Sequence, residues 1–135
     1  MKLRQSDIAQ EAYDRIESLK TDALRDIREE YKTRANRFPA MVVQSGLAQA
    51  MGFLRAKADP KGSSLGRAYA RYLEDLVKVA HRGWPALKGD SEAFYRDVTS
   101  ADLARYRRLT QLVLDASVWM KSLAHTGLRT DSEKA

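Results

Sequence analysis

The sequence predicts an all-α protein, a single compact bundle of about five to six helices. Three observations carry that prediction. Apolar residues recur at steps of three or four along most of the chain, as one face of a helix requires. No stretch alternates with the period of two that marks a strand. All three prolines and five of the seven glycines fall in two loops and one uncharged segment instead of punctuating the chain every few residues. With 135 residues, 44% of them hydrophobic and 31% charged, one domain with a real core is expected. Its bounds are read as 1–128, with 129–135 as a flexible C-terminal tail.

In chain order, the first element is a long amphipathic helix. Ile8, Ala12, Ile16, Leu19, Ala23, Ile27 and Tyr31 form its inward stripe. Glu11 precedes Arg15, and Glu30 precedes Arg34, by four residues, the favourable order for ion pairs on a helix. Ser6 or Asp7 is placed to cap its start, and Pro39 marks its end or a sharp bend. The second element is the uncharged run within "FPAMVVQSGLAQAMGFLRAK", read as a helix with Pro39 in its first turn. Met41, Val42, Val43, Leu47, Met51, Phe53 and Leu54 make it apolar on nearly every side, so it is expected to be the buried central helix. Gly46 with Ala50, and Ala48 with Gly52, would let neighbouring helices approach closely, and a large residue at 46 would overpack.

The third helix spans about 64–82, with Leu65, Tyr69, Tyr72, Leu73, Leu76 and Ala80 inward. "ADPKGSS" before it and "RGWPALKGD" after it are loops. A short helix follows from Ser91, capped by Asp90. The last helix starts near Thr99 or Ser100, where Thr99 and Asp102 have capping-box spacing, and stops at about Gly127. Its apolar positions from Leu103 to Leu123 cover roughly 260° of arc, where a bundle helix needs ~100°. Either this helix is central too, or one flank is kept apolar for another protein.

Little chemistry is available to such a chain. Cysteine is absent, which excludes disulfides, thiolate catalysis and Cys-ligated zinc. His81 and His125 lack partners at metal-ligand spacing. No phosphate loop, dinucleotide fingerprint or serine elbow is present. The carboxylates interleave with arginines on solvated faces, with no pair set apart for acid–base work. No enzyme activity, cofactor or metal is expected. The N-terminal residues lack a signal-peptide core and no run could span a bilayer, so the cytoplasm is the expected location.

Charge is the remaining signal. A net charge of +6 suits a polyanionic partner. Arg67, Arg71, Lys78 and Arg82 fall within about 60° of one another on the third helix, though Glu74 interrupts them. In "RYRR", Arg105 and Arg108 share a side, Arg107 points elsewhere and Tyr106 faces the core. Lys57 and Lys61 flank the loop before the third helix. Each cluster is open to two readings, a solvated face or a nucleic-acid contact.

Two blocks also carry a resemblance. The first is "YKTRANRFPAMVVQSGLAQAMGFLRAK", with Phe38-Pro39, Val42, Ser45-Gly46-Leu47, Phe53-Leu54 and Lys57. The second is "YRRLTQLVLDASVWMKSLA", with Tyr106-Arg107 and Trp119-Met120-Lys121. Together they resemble the small helical subunit of the type III-B (Cmr) CRISPR effector complex. Ser45 departs from the family's usual asparagine and Ser122 from its usual arginine. The resemblance implies a non-catalytic subunit that stacks in copies beside the backbone subunits holding the guide RNA. It would help form the groove for single-stranded target RNA. Lys57 and Lys121 match motif positions; Lys61, Arg67, Arg71, Arg105 and Arg108 are candidate contacts from charge alone. Two alternatives stand beside it: the small subunit of a type III-A complex, and a helical adaptor that binds only protein.

Overall fold

The computed structural model describes residues 4–129; the expected tail lies outside the described residues beyond Arg129. Among the described residues there are six α-helices and one 3-10 turn, and no strand. They are α1 (Arg4–Ser18), a 3-10 segment (Asp22–Ile27), α2 (Arg28–Ser45), α3 (Leu47–Lys57), α4 (Ser64–Gly83), α5 (Ser91–Ser100) and α6 (Leu103–Gly127). The expected helical bundle is what forms.

The long first helix is not continuous. Its stripe is served by two helices with a turn between them, and Ala23 faces solvent while Ile27 and Tyr31 are buried. No glycine or proline causes this break. Arg28 reaches back instead, its Nε donating to the Leu19 carbonyl at 2.7 Å and its Nη2 to the Thr21 carbonyl at 2.8 Å. The guanidinium thereby satisfies carbonyls that a continuing helix would have occupied. Because α1 already runs from Arg4, Ser6 and Asp7 lie inside the helix and do not cap it.

The second boundary also differs from expectation. Pro39 sits inside α2, and the helix runs on past it to Ser45. The break falls at Gly46, whose φ of 87° and ψ of 158° belong to a region that side chains disfavour. Its N–H donates to the Val42 carbonyl at 2.9 Å and its carbonyl accepts from Ala50 at 3.0 Å. One residue therefore closes α2 and opens α3. The uncharged segment is not buried all round: Val43 is 73% exposed and Phe53 38% exposed. Its inward residues are Phe38 and Val42 on α2, and Leu47, Ala50, Met51 and Leu54 on α3.

From residue 64 onward structure and expectation agree closely. Ser63 caps α4 by accepting from the Gly66 N–H, and Asp90 caps α5 by accepting from Glu92 and Ala93. The cap of α6 is Asp102, which accepts from Arg105; Thr99 instead bonds back to a carbonyl at the end of α5. Leu65, expected inward, is exposed in the first turn of α4.

The core lies among α1, α2, α4 and α6, with α3 and α5 closing one side against α4. Helix α6 packs on α1, α2 and α4, so its wide apolar arc is largely used inside. Leu103, Val118 and Trp119 nevertheless remain exposed, Leu103 in the first turn and Trp119 on the side towards α1. At Gly83 a Cβ would lie 2.8 Å from Ile8 and 2.9 Å from Leu112, so α4 ends in close contact with α1 and α6.

Two polar side chains are buried in this core, Asp75 and Ser117. Tyr31 donates to Asp75 at 2.7 Å, Arg71 Nε lies 3.1 Å from the same carboxylate and Arg15 lies 3.6 Å away. Arg71 also donates to the Ser18 hydroxyl at 2.7 Å, which ties α4 to the end of α1. Burial pushes Asp75 up to about 6, against the opposing pull of Tyr31, Arg71 and Arg15.

Candidate nucleic-acid interface

The seven basic residues singled out by sequence do not form one surface. Arg71 faces Asp75 and Ser18, so its guanidinium is part of the fold. Arg67 holds Asp26 through two bonds of 2.7 and 3.1 Å, fastening α4 to the 3-10 segment and holding the Asp26 carboxyl below its ordinary range. This pair is on the surface, where such bridges are weak and open readily. With Lys78, both arginines line an open groove of about 540 Å³. Glu74 and Asp90 line it too, which lowers its appeal to a polyanion.

Arg105 and Arg108 meet at Trp84. The Arg108 guanidinium lies 3.6 Å from the Trp84 ring centroid and that of Arg105 5.0 Å. Arg105 also forks onto Asp97 with two bonds of 2.7 Å, which lowers the Asp97 pKa. Its charge is thus already matched, whereas Arg108 has only the indole for company among the described residues. Lys61 is exposed in the loop between α3 and α4. Lys57, in the last turn of α3, holds its Nζ 5.9 Å from the Phe53 ring centroid.

Lys121 lies elsewhere, in a groove of about 450 Å³ between α2 and α6. Lys32, Arg37 and His125 line the same groove, together with Thr33, Asn36 and the acid Glu29. Arg37 and Lys121 have no acidic partner among the described residues. Sequence reasoning missed Arg37 and Lys32. Both lie inside the first quoted block, but only the packing of α2 against α6 brings them to Lys121. Arg37 also lines a second, smaller notch with Arg34, Met41, Phe53 and Tyr69.

Tyr106 of the second block faces inward as expected. Its hydroxyl accepts the Ala48 N–H at 3.0 Å, satisfying a donor at the start of α3. Gly46 has no side chain with which to do so, and α6 supplies the cap across the bundle.

No group of three His, Asp or Glu side chains able to hold a metal ion occurs among the described residues. His81 is engaged locally, its Nδ1 2.8 Å from the Leu87 carbonyl. No described helix is long and apolar enough to cross a membrane.

The profile of the CRISPR-associated Cas_Cmr5 family matches residues 4–126. The chain belongs to this family. One relative, the CRISPR system Cmr subunit Cmr5 of Thermus thermophilus, is 33% identical over 125 residues. That match covers 92% of this chain and 95% of the relative. The crystal structure of a CRISPR-associated Cmr5 family protein from the same organism superposes with a TM-score of 0.76 at 29% identity, covering 95% of this chain and 100% of that one. The Cmr5-family match takes in both blocks from which the resemblance was read.

Proposed function

We propose that the chain is a non-catalytic small subunit of a type III-B (Cmr) CRISPR ribonucleoprotein and contacts single-stranded RNA through the groove between α2 and α6. One observation carries the RNA assignment: Lys121, at a position matching a family block, shares that groove with Arg37, and neither has an acidic partner among the described residues. Family membership supports the assembly, with the other Cmr subunits, further copies of this chain, guide RNA and target RNA as partners. The exposed Val118 and Leu103 on α6 offer apolar surface to protein neighbours. Such a subunit works in the cytoplasm, where its target transcripts are.

The remaining candidates differ in what an RNA phosphate would have to displace. Lys57, Lys61 and Arg108 are available without breaking an ion pair. Arg67 and Arg105 must give up a surface carboxylate, and Arg71 a buried one.

Two measurements test the reading. In the assembled particle, the double variant Arg37→Glu/Lys121→Glu should weaken target-RNA capture. It should also lower the salt slope by ~0.7 for each phosphate no longer neutralised. Unchanged affinity and slope would leave a protein-only adaptor. The isolated chain, given any divalent metal, should not cleave RNA; cleavage abolished by substituting one carboxylate or histidine would overturn the non-catalytic assignment.

A further inference from the structure

Phe53 is a large apolar ring in an uncharged helix, yet it is 38% exposed. It lies off the face of α3 that buries Leu47, Ala50, Met51 and Leu54. Its position is nevertheless set. The ring meets buried Tyr69 edge to face, with centroids 5.8 Å apart and planes at 73°. Cations surround it. Lys57 holds its ammonium near the ring, Arg34 lies 4.7 Å from the Tyr69 centroid, and Arg37 lines the same notch. Met41, Phe38 and Leu54 complete an apolar notch of about 80 Å³. An exposed aromatic ring held rigidly among positive charges suits a flat apolar group flanked by anions. A strand of unpaired nucleotides has that chemistry. A protein helix does not match as well, because its apolar ridge would need a longer groove and an acidic rim of its own.

Arg37 decides how this notch relates to the rest of the surface, since it lines both the notch and the groove that holds Lys121. We infer that one unpaired nucleobase stacks on the exposed Phe53 ring at the mouth of the notch, with the flanking phosphates on Arg37 and Lys57. The strand then continues past Arg37 towards Lys121, so the two lysines at matched family positions lie on one path. This inference rests on the RNA-contact reading above and adds a stacking site to it. Stacking on a ring tolerates every base, so the site grips a strand without reading its sequence.

The test uses the full chain at low ionic strength and a uridine-rich single-stranded RNA carrying one 2-aminopurine. Binding should quench the 2-aminopurine when it stacks on the Phe53 ring. Phe53→Tyr should keep the quench. Phe53→Leu should abolish it and weaken binding about 5- to 150-fold, the range that loss of one base–aromatic stack produces. A second arm changes the RNA: an abasic nucleotide at the stacked position should weaken wild-type binding, and Phe53→Leu should weaken binding to that abasic RNA no further. If Phe53→Leu binds and quenches like wild type while Arg37→Glu/Lys121→Glu binds poorly, the stacking site is wrong and the RNA groove stands. If neither variant changes binding, both are wrong. If Phe53→Leu leaves RNA binding intact but prevents incorporation into the particle, the notch docks protein and the inference is overturned.

Discussion

Asp75 is the residue on which three helices converge, and it makes the fold sensitive to pH. Burial raises its pKa from an ordinary 3.8 to about 6. Between those values the unfolded chain releases the proton while the folded chain keeps it. Stability must therefore fall as pH rises through that window and level off above it. Urea denaturation at several points from about pH 4 to 7 should show that decline in the wild type and a flatter profile in Asp75→Asn. Arg71 opposes the rise, so Arg71→Ala should push Asp75 higher and cost roughly 3 kcal/mol at neutral pH, near the lower end for breaking a buried pair because Arg15 remains. Charge reversal at Arg71 should then lower the melting temperature sharply, whereas Arg67→Glu, on a surface pair, should barely move it. A melting temperature equally tolerant of both reversals would show that Arg71 is not structural. On the helical wheel these two arginines are neighbours with the same reading. One local cue separates them, since Asp75 stands four residues after Arg71 and no acid stands four after Arg67; that this carboxylate is buried against Tyr31 appears only in the tertiary packing.

At the scale of elements, Gly46 accounts for one of the two glycines in the uncharged run, since it closes α2 and opens α3. Gly46→Ala should destabilise by about 1–3 kcal/mol, the cost of holding a side-chain-bearing residue in that backbone region. Crowding contributes little, because the nearest atom to a Cβ there is the Tyr106 hydroxyl at 3.5 Å. Tyr106→Phe should cost about 1 kcal/mol by removing the acceptor for the Ala48 N–H, and thermal melts of the two variants check both figures. A Tyr106→Phe protein as stable as wild type would mean that water caps α3 equally well. Helix α4 and the start of α5 were legible because capping side chains and Pro/Gly loops bracket them, whereas the break between α5 and α6, at Ala101-Asp102 with neither Pro nor Gly, was read about three residues early. The boundaries before α4 were not legible. Residues 19–21 carry no helix breaker, Pro39 is tolerated inside α2, and Gly46 acts through its backbone. The candidate site divides in the same way. Lys57 and Lys121 were visible as motif positions. Arg37 and the exposure of Phe53 appear only when α2, α3 and α6 are assembled.

For the whole molecule, the first and last helices lie against each other. Arg4 bonds Asp115 at 2.6 Å, Gln5 accepts from the Trp119 indole at 2.9 Å, and Ile8, Ala12 and Ile16 are buried. Deleting α1 should therefore expose the apolar flank of α6 and produce a chain that aggregates or melts far below the full-length protein. Size-exclusion chromatography checks the first outcome, calorimetry the second. The same arrangement has a consequence in time. After Ser18, 85 residues must be added to reach the first residue of α6. A ribosome adding ~5–20 residues per second spends roughly 4–17 s on that interval. Throughout it, the side of α1 destined for α6 has no partner, although α4 arrives earlier to cover the other side. The nascent chain is thus a half-built bundle with an adhesive first helix. It is exposed to capture by other hydrophobic surfaces until its own final helix has been made.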